Sequence, residues 1–294
     1  MKKLSEIPSA KAEFILLFIA AIWGGTFVIT KLSLIDLPPF TFLSIRFLLA
    51  SILFLIIFFK KIQLPIKGEL WGGIILGLLL FGGFASQTLG LVYTTASKSA
   101  LITGTNLLII PFAQYLIIKK KVGFENWVGV IVVLLGLFLL TRPEISGMNL
   151  GDILTLFCAC CWAFYIIYLD IASKKYPLHN LVFLQFLLVS FLSLAVSLIH
   201  ESPSYHNLTT MSISGILYTA ILATLVATFL GNKYQKDTTP IRAGLIFTFE
   251  QPFAVLLAII FMKDSLNALQ YVGGVLMIGG ILFSETYQYM RKGD

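Results

Sequence analysis

Charge is what this 294-residue sequence has least of: Asp, Glu, Lys and Arg make up 12% of it, about half the share of an ordinary soluble domain. A soluble protein of this length needs a charged shell, so that class is excluded at the outset. There are only three histidines and three cysteines. No His-Glu-x-x-His and no Gly-x-Ser-x-Gly occurs, and His179, His200 and His206 fall in or beside expected loops, so an intramembrane enzyme lacks its parts. Cys158, Cys160 and Cys161 crowd little more than one helical turn. Neighbouring positions on a helix point apart, which disfavours a disulfide, and no His or acidic residue adjoins them to complete a metal site. They read as small packing residues, and no metal or cofactor is expected.

What fills the sequence instead is apolar, with 58% hydrophobic residues and a mean hydropathy of +0.92. A bilayer-crossing helix needs about 20 mostly apolar residues, and ten such stretches are present. They run from 12 to 30, 39 to 59, 71 to 92, 98 to 118, 125 to 141, 151 to 170, 179 to 199, 213 to 232, 240 to 262 and 269 to 287. The longest connector, 200 to 212, is a loop and leaves no room for a soluble domain. The first stretch has no convincing small-residue cleavage site after it, so it is expected to remain as a helix. The expectation is an all-α, multi-pass integral membrane protein of the bacterial inner membrane.

The basic residues give the orientation, because Lys and Arg near span ends stay on the cytoplasmic side. Sixteen of the 21 fall in one parity class of connectors, which includes both termini. Lys31, Lys98, Arg142 and Lys263 make up the other class, and Arg46 lies within a span. Both termini are therefore expected to be cytoplasmic. The same asymmetry accounts for the net charge of +7 without a nucleic-acid partner, for which no basic soluble face exists.

The first five stretches repeat in the last five. Trp23 and Trp162, Lys31 and Asp170, and Arg46 and Gln185 are each 139 residues apart. Tyr93 and Tyr234, and Pro111 and Pro252, share an offset of 141, while Gly129 and Gly136 match Gly273 and Gly280 at 144. Five is odd, so the second repeat (151 to 287) must enter the bilayer from the opposite side to the first (12 to 141). Inverted repeats meeting at one central site are common in secondary transporters. Residues 1 to 294 are thus expected to form a single membrane domain, with 141 to 151 as the boundary between its halves.

Several segments are similar to the EamA-type branch of the drug/metabolite transporter superfamily. IWGGTFVITKL at 22 to 32 resembles that family's first helix, and PPFTFLSIRFLLA at 38 to 50 its second. FEQPFAVLLAIIFMKDSL at 249 to 266 resembles the ninth, with Glu250 and Pro252 on the expected positions, and GGVLMIGGILF at 273 to 283 fits the last. Asp264 stands in place of the usual exit Glu, and Lys120 and Lys121 where a carboxylate is common. The resemblance implies movement of a small polar or amphipathic metabolite, such as an amino acid or related compound. The resemblance implies export or uptake, with export the expected direction.

Charges deep in a span are functional candidates by default. Glu250 lies near the expected midplane, where it would take up a proton or find a cation, or else bond to backbone freed by Pro252. Arg46 is expected in the outer third of the second span, where it could snorkel toward water. Its counterpart Gln185 suggests that polarity, not charge, is required there. Trp23, Thr26, Thr30, Gln87, Thr103, Asn106, Trp162, Tyr165 and Tyr168 complete the candidate substrate-binding set, with Gln114 also near mid-depth. An aromatic-walled cavity with a few hydrogen-bonding groups suits an amphipathic ligand. Proton coupling through Glu250 is possible on this reading, and a passive channel is the alternative to a carrier.

Overall fold

The computed structural model describes residues 10–119, 121–141, 147–202, 208–254, 256 and 267–293. Every regular element among them is helical. α1 (Ala10–Gly24) and α2 (Thr26–Ser33) form one span interrupted at Gly25. α3 (Pro39–Phe58), α4 (Lys67–Tyr93), α5 (Ala96–Gly104) and α6 (Asn106–Ile118) follow, the last two parted at Thr105. After α7 (Phe124–Thr141) come α8 (Leu150–Lys175) and α9 (Leu178–His200). α10 (Thr210–Leu217) runs through a π-helical stretch, Tyr218–Val226, into α11 (Ala227–Tyr234). α12 (Pro240–Phe247) and α13 (Ala268–Gly293) complete the described helices.

Eight spans are long and apolar enough to cross a membrane, and α13 adds a shorter apolar stretch, Ala268–Phe283. Large apolar side chains such as Phe14, Ile56, Phe59, Phe191 and Leu198 face outward, as lipid requires and water would penalise. The protein is an integral, multi-pass membrane protein. The expected ninth span, 240 to 262, is described only to residue 254 and at 256. Lys120, Arg142 and the rest of 142–146, Lys263 and Asp264 lie outside the described residues.

Helix ends are satisfied over long distances in sequence. Pro38 and Pro39 start α3 with no side-chain cap of their own. The carboxylate of Glu201, just past α9, accepts instead from the backbone of Phe40 (2.8 Å) and Thr41 (2.7 Å) and from the Thr41 hydroxyl (2.8 Å). At the other end of the same pair, Gln63 N donates to Asn180 near the start of α9 (3.0 Å). α3 and α9 therefore run antiparallel, packing through Phe47, Phe54 and Phe186.

α7 and α13 are likewise antiparallel. A Cβ on Gly136 would meet the Gly273 carbonyl oxygen at 2.6 Å, and one on Gly280 the Gly129 carbonyl oxygen at 3.1 Å. Gly72, Gly73 and Gly77 of α4 lie against Leu181, Leu184 and Leu188 of α9, and Gly82 against Cys161 of α8. Small residues at these crossings let backbones approach where lipid supplies no hydrophobic drive between helices.

Candidate functional site

A cavity lies among α1, α2, α3, α4, α5, α6, α8, α11 and α12. Three of the helix interruptions open onto it, the first at Gly25 between Trp23 and Thr26. Thr103, Gly104 and Asn106 flank the break at Thr105, and Phe247, Thr248 and Glu250 flank the turn at 248–249. The chain is helical again from 250 to 254.

Trp23 and Trp162 both line this cavity, their ring centroids 6.5 Å apart. The Trp23 indole donates to the Ala223 carbonyl (2.9 Å) in the π-helical stretch and packs on Phe247 (5.1 Å). Trp162 stands edge-on to Phe84 (5.1 Å) and Tyr165 (5.6 Å). The Tyr165 hydroxyl lies 2.7 Å from Gln185 Oε1 and 2.9 Å from Asn232 Oδ1. Gln87 donates to Thr103 (3.3 Å), and Thr26 spends its proton on the Trp23 carbonyl (2.7 Å).

Thr30, Tyr168 and Gln114 do not line the cavity. Thr30 is buried one turn beyond Thr26, and Tyr168 packs against the aromatic cluster between α3 and α9. Thr228, Asn232 and Gln235 do line it, and sequence reasoning missed them. Their spacing of four and three residues places them on one helix face, a signal the sequence carried.

Two expectations about charged residues need correction. Arg46 does not snorkel: it is 2% exposed, its Nε donates to Thr224 (2.8 Å), and its guanidinium lies 4.4 Å from the Phe84 ring centroid. Its Nη2 is buried without any hydrogen-bond partner among the described residues. Pro252 frees no mid-helix backbone, because the turn at 248–249 places it in the first turn of a restarted helix, where a missing N–H costs nothing. Among the described residues, the Glu250 carboxylate accepts one hydrogen bond, from Gln251 (3.2 Å).

Ion pairs tie the starts of four helices together in crossed fashion. Lys98, near the start of α5, pairs with Asp152 at the start of α8 (2.6 Å). Arg242, near the start of α12, pairs with Glu13 of α1 (3.1 Å). Glu13 and Asp152 are 139 residues apart, the offset of Trp23 and Trp162, whereas Lys98 and Arg242 are 144 apart, three more than the pairs Tyr93/Tyr234 and Pro111/Pro252 on either side. Local capping repeats too: Thr95 accepts from Lys98 N, and Thr239 from Arg242 N.

The two pairs lie at opposite ends of the molecule. Lys31, at the far end of the first span from Glu13, donates to the carbonyl of Thr94 (2.5 Å), whose hydroxyl donates to Asp152 (2.8 Å). Eighteen residues of helix separate Glu13 from Lys31, about 27 Å at 1.5 Å per residue. At the Lys31 end, Asp36 also accepts from the hydroxyls of Ser212 and Thr209, which hold its carboxyl below the usual carboxylate range.

The sequence matches the EamA-like transporter family over residues 10–142 and 149–286. It is 31% identical to an uncharacterized transporter of Archaeoglobus fulgidus, over 92% of this chain and 84% of that protein. It is 23% identical to a protein of Salmonella typhimurium named as a probable amino-acid metabolite efflux pump, over 93% and 94% of the two chains. A crystal structure 17% identical in sequence superposes with a TM-score of 0.78, covering 93% of this chain and 98% of that one, which shows a shared fold.

Proposed function

This chain belongs to the EamA-like transporter family, a membrane transporter and not an enzyme, and on that footing we propose that it exports a small polar or amphipathic metabolite by alternating access to the central cavity. Ten spans form two inverted repeats, 12–141 and 151–287, within one domain. Both termini are cytoplasmic, and the membrane is the bacterial inner membrane. The substrate is an amino acid or related compound, a class and direction supported by the efflux-pump name of the Salmonella relative. Trp23, Trp162, Gln87, Thr103, Asn106 and Tyr165 contribute to its binding surface, and Glu250 carries the coupling proton.

The observation that supports alternating access is the crossed set of ion pairs, Glu13 with Arg242 and Lys98 with Asp152. Each joins the first span of one repeat to the fourth span of the other, at opposite ends of the cavity-forming helices. Matching contacts at the two ends are what a two-state carrier needs, because closing one end then offsets part of the cost of opening the other. With the termini inside, the Glu13 pair closes the cytoplasmic end and the Lys98 pair the external end.

The test uses protein in which Cys158, Cys160 and Cys161 are replaced by Ala. Glu13→Cys with Arg242→Cys, or Lys98→Cys with Asp152→Cys, is joined by a short bifunctional thiol reagent in proteoliposomes. Either link is expected to stop counterflow of a substrate found by efflux screening, and reduction of the reagent to restore it. Undiminished flux with both ends linked, or flux that rises linearly with concentration and shows no counterflow, would identify a channel instead.

A further inference from the structure

Arg46 and Gln185 occupy equivalent places in the two repeats, yet their surroundings differ. Gln185 is fully buried and satisfied: its amide nitrogen donates to Leu181 O (3.1 Å) and its oxygen accepts from Tyr165 (2.7 Å). Arg46 lines the cavity and spends one N–H, on Thr224. Its guanidinium carbon lies over the Phe84 ring, 4.4 Å from the centroid, a cation–π contact that helps hold the group in place. Its Nη2 is buried without a hydrogen-bond partner among the described residues.

A guanidinium buried at membrane depth with unused donors is costly, and no carboxylate of the described residues lies within ion-pair distance of it. Gln185, which the 139-residue offset pairs with Arg46, is neutral and satisfied, so a charge is not a general need of such a place. A carboxylate entering the cavity would supply what is missing, since guanidinium edges take carboxylates in paired, charge-assisted hydrogen bonds.

We infer that Arg46 is the anchor for a carboxylate on the transported molecule, which makes the substrate an amphipathic monocarboxylate whose apolar part lies against Trp23, Trp162 and Phe247. Glu250 lines the same cavity, so a second carboxylate on the ligand would meet an acidic group, and dicarboxylates are disfavoured. This assignment rests on the transporter reading above and names the chemistry of that same cavity.

Binding to purified, detergent-solubilised protein is measured by quenching of tryptophan fluorescence with four probes. L-phenylalanine and 3-phenylpropionate carry a carboxylate, L-phenylalaninol replaces it by an alcohol, and phenylsuccinate carries two. The monocarboxylates are expected to bind the wild type about ten- to a hundredfold more tightly than the alcohol, the range for charge-assisted hydrogen bonds. Arg46→Gln should abolish that preference, so that the monocarboxylates bind no more tightly than phenylalaninol does.

Arg46→Lys, which keeps the charge but loses the fork, should fall between the two, and it serves if Arg46→Gln does not fold. Failure of both monocarboxylates to bind the wild type, equal binding of acid and alcohol, or a preference that survives in Arg46→Lys at full strength would overturn the assignment. Saturable counterflow of a neutral or cationic compound alongside any of these would leave the transporter reading standing and remove the anchor alone.

Discussion

Gly136 of α7 and Gly273 of α13 face each other so closely that a Cβ on either would lie 2.6 Å from the other's carbonyl oxygen. No side chain can enter without parting the helices. These two helices make few described contacts with the cavity, so their pairing acts as a brace. Gly136→Leu is expected to destabilise the protein by about 1–3 kcal/mol, the usual cost of overpacking, seen as a lowered melting temperature in detergent. Gly274→Ala, where nothing lies within 4 Å of the added methyl, is the matched control and should melt as wild type. Equal melting of the two variants would mean that the close approach contributes nothing.

The topology has a direct test. Reporters fused after residues 64, 122, 176, 236 and 294 are expected to be cytoplasmic, and those after 36, 96, 146, 206 and 265 external. The expectation follows from sixteen basic residues in one class of connectors against four in the other. Two consecutive reporters on the same side would remove the ten-span arrangement and with it the assignment of each ion pair to a face.

Eight spans among the described residues were readable because bilayer thickness imposes a length on apolar runs, while the repeat rests on the nearly constant offsets of the sequence itself. The interruptions were not readable. Gly25, Thr105 and the turn at 248–249 sit inside continuous apolar runs, where hydropathy has no reason to change, so the restart before Glu250 and the true position of Pro252 stayed hidden. Thr30 was expected in the cavity because it shares a face with Thr26, but face is only one coordinate and depth the other. Arg46 was read as snorkelling because sequence gives distance from a span end, not what surrounds the side chain. The capping of α3 by Glu201 spans 160 residues, and no local pattern encodes such a bond.

Trp23 and Trp162 offer a test of the cavity wall. Each is replaced by Ala, and transport is compared with the amount of protein in the membrane. Transport per molecule is expected to fall by about tenfold for each, the scale of losing one stacked aromatic surface. Trp23→Phe keeps a ring against Phe247 but loses the bond to Ala223, and it should retain more activity than Trp23→Ala. Parallel loss of protein and flux would return both tryptophans to a packing role.

Glu250 is a carboxylate lining the cavity that accepts a hydrogen bond from its neighbour Gln251, and no cation among the described residues pairs with it, which leaves a proton as the means of neutralising it. Gln at this position is permanently neutral and still hydrogen-bonds, which mimics the protonated acid in both respects. Glu250→Gln is therefore expected to stop uphill transport driven by a pH gradient while exchange of substrate at equal pH continues. The measurement is net flux and exchange in proteoliposomes, each against pH, for wild type and variant. Exchange in the variant should also lose any pH dependence that wild type shows through this group. If Glu250 instead held a cationic part of the substrate, Gln would remove the counter-charge, and binding itself would weaken, most at high pH where the wild-type carboxylate is ionised. Wild-type net flux and exchange at every pH would take Glu250 out of the mechanism altogether.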